Sequence, residues 1–159
     1  MIPAPDARSP RNKYSRVLID RICFLEAPLV DKQLIKKGNG WRVGWKKDAP
    51  IYKGLIGTDD WAIELTQPEM EDFVRLLLEI NQAITDISEH LMDEETITCE
   101  LESSLLWLEA RGYAHQYSLT VILSQQRCCE VTFPAGVIPA LITTVQSLNF
   151  ENTDDTIVF

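Results

Sequence analysis

Arg42, Lys46, Lys47 and Lys53 are interleaved with Trp41, Trp45 and Tyr52. Cations that neutralise phosphates, set beside aromatic faces on which bases stack, are the two ingredients of single-stranded nucleic-acid binding. Lys36 and Lys37 extend the same edge toward the N-terminus. Carboxylates offer a second chemistry. Asp59-Asp60 and Asp93-Glu94-Glu95 are candidate ligands for Mg²⁺ or Ca²⁺, but neither group follows an EF-hand loop, and such runs are usually solvated turns. Asp59-Asp60 also suits the satisfaction of backbone donors in the turn before Trp61. Catalysis has less to work with. Ser103-Ser104 lacks a GxSxG context, and His115, between Tyr113 and Tyr117, has no evident carboxylate partner. Gly38-Asn39-Gly40 precedes a strand, whereas a phosphate cradle requires a helix N-terminus, so it reads as a turn.

The four cysteines (Cys23, Cys99, Cys128 and Cys129) contain no CxxC pair, and neither His90 nor His115 has a second ligand at finger spacing. We therefore expect no zinc site and no cofactor, with the thiols reduced in a cytosolic core. Adjacent Cys128 and Cys129 on a strand would face opposite ways, and a bridge between them would be strained.

Charge is divided unevenly along the chain. Twelve of the 15 lysines and arginines lie at or before Lys53, and only Arg75, Arg111 and Arg127 follow. Five acidic residues precede Gly54 and nineteen follow, so the first third carries +7 and the remainder −16. From Lys32 to Lys53 this leaves a local basic edge on an acidic domain, whose outward strand residues include Glu64, Glu100, Glu102 and Glu109. Such a surface repels phosphate away from the edge. No run of eighteen apolar residues occurs, and Asp20-Arg21 interrupts the segment nearest to a secretory core, so a cytoplasmic protein without a membrane partner is expected.

The elements that position these residues follow from periodicity. At 159 residues and 45% hydrophobic content, one domain with a proper core is expected over 31–150. Residues 1–30, rich in proline and basic groups, read as a disordered or loosely docked arm. An alternative places them upstream of the true start, with Val30 as the initiation codon. Residues 151–159 read as an acidic flexible tail. Gln33–Lys37 begins a strand that turns at Gly38–Gly40. Trp41–Lys46 alternates strictly, with Trp41, Val43 and Trp45 inward, which assigns both tryptophans to the core. A loop follows from Tyr52 to Gly57, and then a strand with Trp61, Ile63 and Leu65 inward. Thr66-Gln67-Pro68-Glu69 is a capping box that starts a helix over about 67–92, with Met70, Phe73, Val74, Leu77, Ile80, Ile84, Ile87 and Leu91 on one face. Its length of about 39 Å exceeds what so small a domain covers, and suggests a homodimer.

Strands follow at Ile97–Leu101, at Leu105–Leu108 (central, being apolar on both faces) and at Tyr113–Ser124 after a turn at Arg111-Gly112. A hairpin turn at Ser124–Gln126 leads to a strand on which Cys129, Val131 and Phe133 share a face. A shorter helix over about 136–148 carries Ile138, Leu141, Ile142, Val145 and Leu148. The class is α+β, an antiparallel sheet in the order β-β-α, then three or four strands and α.

Three stretches carry a family resemblance: Gly38-Asn39-Gly40-Trp41-Arg42-Val43-Gly44-Trp45, Gly57-Thr58-Asp59-Asp60-Trp61-Ala62-Ile63-Glu64-Leu65-Thr66, and Leu105-Leu106-Trp107-Leu108-Glu109 with Tyr117-Ser118-Leu119. They resemble a family of small cyanobacterial proteins defined only as a domain of unknown function, over about residues 31–150. The resemblance implies a Whirly-like fold, similar to transcriptional regulators that bind single-stranded DNA: a strongly curved antiparallel sheet with helices across it, often paired into larger assemblies. It brings no catalytic residue with it. Taken together, the chain is expected to be a non-enzymatic, self-associating interaction module with an unidentified protein partner, contacted through Lys36, Lys37, Arg42, Lys46, Lys47 and Lys53. A single-stranded nucleic-acid binder is the alternative, and an enzyme of unknown class the third reading.

Overall fold

Asn39-Gly40 closes a hairpin between β1 (Gln33–Gly38) and β2 (Trp41–Lys46), with Gly40 at a φ of +81°. Gly38 has a different reason to lack a side chain. The Trp41 indole lies across it, and a Cβ there would stand 2.5 Å from Nε1. The computed structural model describes residues 33–124 and 126–148. Apart from Gln33, these belong to one compact unit that runs from Leu34 onward. The arm over 1–30, Cys23, the tail over 151–159 and Gln125 of the expected hairpin turn lie outside the described residues.

Gly54–Gly57, read from the sequence as loop, is strand β3, paired with β2 and with β4 (Ala62–Leu65) to give a sheet in the order β1-β2-β3-β4. Glycine normally weakens a strand, but here close neighbours require it. A Cβ on Gly54 would stand 2.9 Å from Met70 Cβ, and one on Gly57 would stand 2.5 Å from the Trp61 carbonyl oxygen. Trp61 itself precedes β4 and packs edge-on against Phe133, with ring centroids 4.9 Å apart.

The capping box forms as read. Thr66 Oγ1 accepts from the Glu69 N–H, and Glu69 Oε2 accepts from the Thr66 N–H at 2.8 Å, opening α1 (Gln67–Ser88). The helix ends four residues short of the expected 92, in turn-type bonds from His90 N–H to the Ile87 carbonyl and from Leu91 N–H to the Ser88 carbonyl. At 22 residues it is about 33 Å long. Met70, Phe73, Leu76, Leu77, Ile80 and Ile84 are buried, each contributing roughly 1.5–3 kcal/mol by leaving water. Ile87, expected on that stripe, is 43% exposed.

The second sheet is an antiparallel meander of β5 (Thr96–Glu102), β6 (Leu106–Tyr113), β7 (Gln116–Leu123) and β8 (Glu130–Phe133). β6 runs through the expected turn at Arg111-Gly112, and the chain reverses at Ala114-His115 instead. Gly112 is needed there for its φ of +141°, with the Gln116 carbonyl 2.8 Å from where a Cβ would sit. The second helix, α2 (Ile138–Ser147), begins two residues late because Gly136, at a φ of +100°, still belongs to the turn.

One core joins all layers. Val43, Trp45, Ile56 and Leu65 of the first sheet meet the buried stripe of α1. Leu106, Leu108, Leu119, Val121 and Phe133 of the second sheet and Ile138, Leu141, Ile142 and Val145 of α2 complete it. β4 and β8, each at a sheet edge, are bridged by Trp61 Nε1–H donating to the Thr132 carbonyl at 3.3 Å and by Arg127 donating to the Glu64 carbonyl.

Candidate functional site

Strand alternation fixes where the basic residues point. With Val43 and Trp45 buried, Arg42, Gly44 and Lys46 of β2 face outward. Ile35 Cγ1 lies 3.5 Å and Leu55 Cβ 3.4 Å from the position of a Gly44 Cβ, so Ile35 and Leu55 share that outward face, and Lys37 follows Ile35 by parity. The result is a low apolar floor of Ile35, Gly44 and Leu55 flanked by Lys37, Arg42 and Lys46. Arg42 lies over Gly57, its Nη2 donating to the Trp61 carbonyl at 3.4 Å, while its buried Nε has no hydrogen-bond partner. Glu64 faces outward opposite Leu55 and closes the far side.

The other three cations of the expected edge lie elsewhere. Lys36 has the opposite parity, and its Nζ donates to Ser147 Oγ at 2.8 Å, tying β1 to the end of α2. Lys47 and Lys53 are half-buried beside the β2–β3 connection, where Lys46 N–H donates to the Lys53 carbonyl at 2.7 Å. The aromatic residues among these cations are engaged elsewhere, as strand alternation indicated for the two tryptophans. Trp45 is core, Trp41 is folded over Gly38, and the Tyr52 ring carries the Arg127 guanidinium 4.8 Å from its centroid.

The acidic candidates occupy two separate turns. Asp59 and Asp60 are exposed in the β3–β4 turn, whose donors are satisfied by Thr58: its Oγ1 accepts from the Asp60 N–H, and its own N–H donates to the Trp61 carbonyl at 2.9 Å. An open cleft of about 450 Å³ adjoins this turn, lined also by Gly40, Trp61, Thr132 and Pro134. Asp93, Glu94 and Glu95 follow α1, where the Glu95 carboxylate accepts from the Met92 N–H at 3.0 Å. Asp93 and Glu95, but not Glu94, line a recess of about 210 Å³ with Ser88 and His115. Among the described residues no group of three or more His, Cys, Asp or Glu is arranged to hold a metal ion. His115 stacks on Tyr113 with centroids 5.7 Å apart, and Ser103 Oγ accepts from the N–H groups of Leu105 and Leu106 at 3.1 Å each, a turn role.

Burial pushes the Tyr117 phenol up to about 12, with the neighbouring Cys99 adding to the effect, and its OH donates to Asn81 Oδ1 at 3.0 Å. Burial likewise raises the Cys99 thiol, followed by the charge of Glu100. Both groups are held neutral inside the fold.

The second sheet presents an outward face of the opposite sign. Register places Glu100 across from Glu109, and sets Glu102, Trp107, Ile122 and Glu130 in one row. Like charges directly opposed disfavour pairing, and Arg111, 3.1 Å from Glu109, relieves this pair. Sequence alternation had already turned Glu64, Glu100, Glu102 and Glu109 outward. It missed Glu130 and the half-buried Trp107 and Ile122 that make the row partly apolar. It also missed Arg127, whose guanidinium reaches the buried carboxylate of Glu69.

These features define an α+β domain with two antiparallel four-stranded sheets, a long helix after the first and a short C-terminal helix. The sequence profile of the domain of unknown function DUF1818 matches residues 36–148, and the chain belongs to that family. It is similar to a crystal structure of a protein of unknown function from the DUF155 family of Prochlorococcus sp. NATL2A. Identity to that protein is 31%, the TM-score is 0.69, and the match covers 72% of this chain and 97% of that one. No curated protein matches the chain. Among the described residues no helix is long and apolar enough to cross a membrane.

Proposed function

We propose that this domain is a non-enzymatic protein-interaction module of the cytoplasm, and that its contact surfaces are the outward faces of its two sheets. One observation carries the reading. Both helices pack into the core from the inward side, so among the described residues each outward face is free of helix, and the two faces carry opposite charge around apolar centres. Complementary charge around an apolar centre is how interfaces gain specificity and rate of encounter. The order of four strands, helix, four strands and helix supports a Whirly-like architecture, and the Prochlorococcus neighbour supports a cyanobacterial origin.

The basic face also supports the nucleic-acid alternative, but of the aromatic groups that binding would require, Trp45 is buried, Trp41 lies over Gly38, and the exposed Tyr52 ring is taken by Arg127. Affinity capture from native extract, run with wild type and with Lys37→Glu/Lys46→Glu, tests the main reading. Protein partners retained by wild type and lost by the reversed variant support it. Equal recovery on both, or recovery of single-stranded nucleic acid alone, contradicts it.

A further inference from the structure

We infer that the occupant of the basic face is the acidic face of a second copy of this chain, giving head-to-tail association. The inference rests on the interaction-module reading and specifies its partner. The face of the first sheet sets Lys37, Arg42 and Lys46 against one outward carboxylate, Glu64. The face of the second sets Glu100, Glu102, Glu109 and Glu130 against one cation, Arg111. Each face would repel its own kind, so a two-fold contact through either alone is disfavoured, whereas basic on acidic is favourable.

Shape agrees with charge. Gly44 places no side chain between Ile35 and Leu55, while Arg42 lies over Gly57 at one side of the floor. Trp107 and Ile122 stand adjacent across β6 and β7 on the second face. An indole laid over the exposed Ile35 and its neighbour Leu55 buries apolar area, and two sheets pack face to face at about 10 Å. Because the two surfaces differ, each added copy leaves one of each exposed, and assembly grows with concentration unless the rotation closes a ring.

Light-scattering mass of the full chain, measured over a concentration series at low and at high salt, tests this. The expected result is a mass above one chain at about 50 mM salt that falls toward one chain at about 500 mM. Lys37→Glu/Lys46→Glu and Glu100→Lys/Glu102→Lys should each weaken association by at least about tenfold. An equimolar mixture of the two variants should restore it, because reversed faces complement each other, a rescue that misfolded variants could not give. A single-chain mass at every condition, or association that neither reversal alters, overturns the inference. If capture of another protein through Lys37 and Lys46 survives that outcome, the interaction-module reading stands without self-association; if capture also fails, both fall.

Discussion

Arg127 forms an ion pair with Glu69 across 58 residues of sequence, and the carboxylate it reaches is the one that caps α1. The same guanidinium donates to the Glu64 carbonyl of β4 and lies on the Tyr52 ring. One side chain from the β7–β8 loop thus secures the start of the long helix, the last strand of the first sheet and the β2–β3 connection. Glu69 is 6% exposed, and its Oε2 is met by this guanidinium and by the Thr66 N–H.

Arg127→Ala should therefore destabilise the fold by about 2–3 kcal/mol, since it strands a buried carboxylate. Arg127→Lys should recover only part of this, because an ammonium lacks the planar fork that meets the carboxylate and stacks on Tyr52. Glu69→Gln combined with Arg127→Ala should cost less than the sum of the single changes. A double-mutant cycle by denaturant unfolding measures the coupling, and additive effects would refute the pairing.

Gly57→Ala should cost about 2 kcal/mol or more. The new Cβ meets the backbone carbonyl of Trp61 at 2.5 Å, which no rotamer change can relieve. Gly136→Ala provides the contrast: nothing lies within 4 Å of its Cβ, and only its φ of +100° resists the change. Thermal unfolding of the two variants should give the larger loss for Gly57.

Tyr117 predicts an alkaline limit to stability. Its phenol ionises near 10 when unfolded and at about 12 in the fold, so the folded state holds the proton more tightly. The contribution is fully present below pH 10 and is lost as pH rises from about 10 to 12. Tyr117→Phe should flatten the stability curve over that window. At neutral pH it should cost about 1 kcal/mol through the lost bond to Asn81. An unchanged alkaline slope in the variant would show that another group sets the limit.

Much of this architecture is legible locally. The α1 start is written in Thr66, Pro68 and Glu69, and the buried faces of β2 and β7 in residues alternating at a period of two. β3 is not legible, because four residues with glycine at both ends resemble a turn until Met70 and Trp61 are seen against them. Gly112 misleads for the same reason: its φ serves a strand end, not the reversal itself. Lys36 and Lys37 are indistinguishable by composition, yet opposite parity sends one to Ser147 and the other to the outward face. Arg127 carries no local sign of its role, since its partners Glu64 and Glu69 lie more than 50 residues away in sequence. The charge partition is visible in the sequence as a basic first third and an acidic remainder; only the sheet register converts it into two faces.

Zero-length carboxylate-to-amine cross-linking of mixed isotope-labelled and unlabelled wild-type protein tests the two-face account most directly. The account predicts intermolecular links joining Lys37 or Lys46 of one copy to Glu100, Glu102 or Glu130 of another, diminishing as salt is raised. Intermolecular links confined to other carboxylates, such as Glu71 or Glu79 on α1, or none from Lys37 and Lys46, would contradict it.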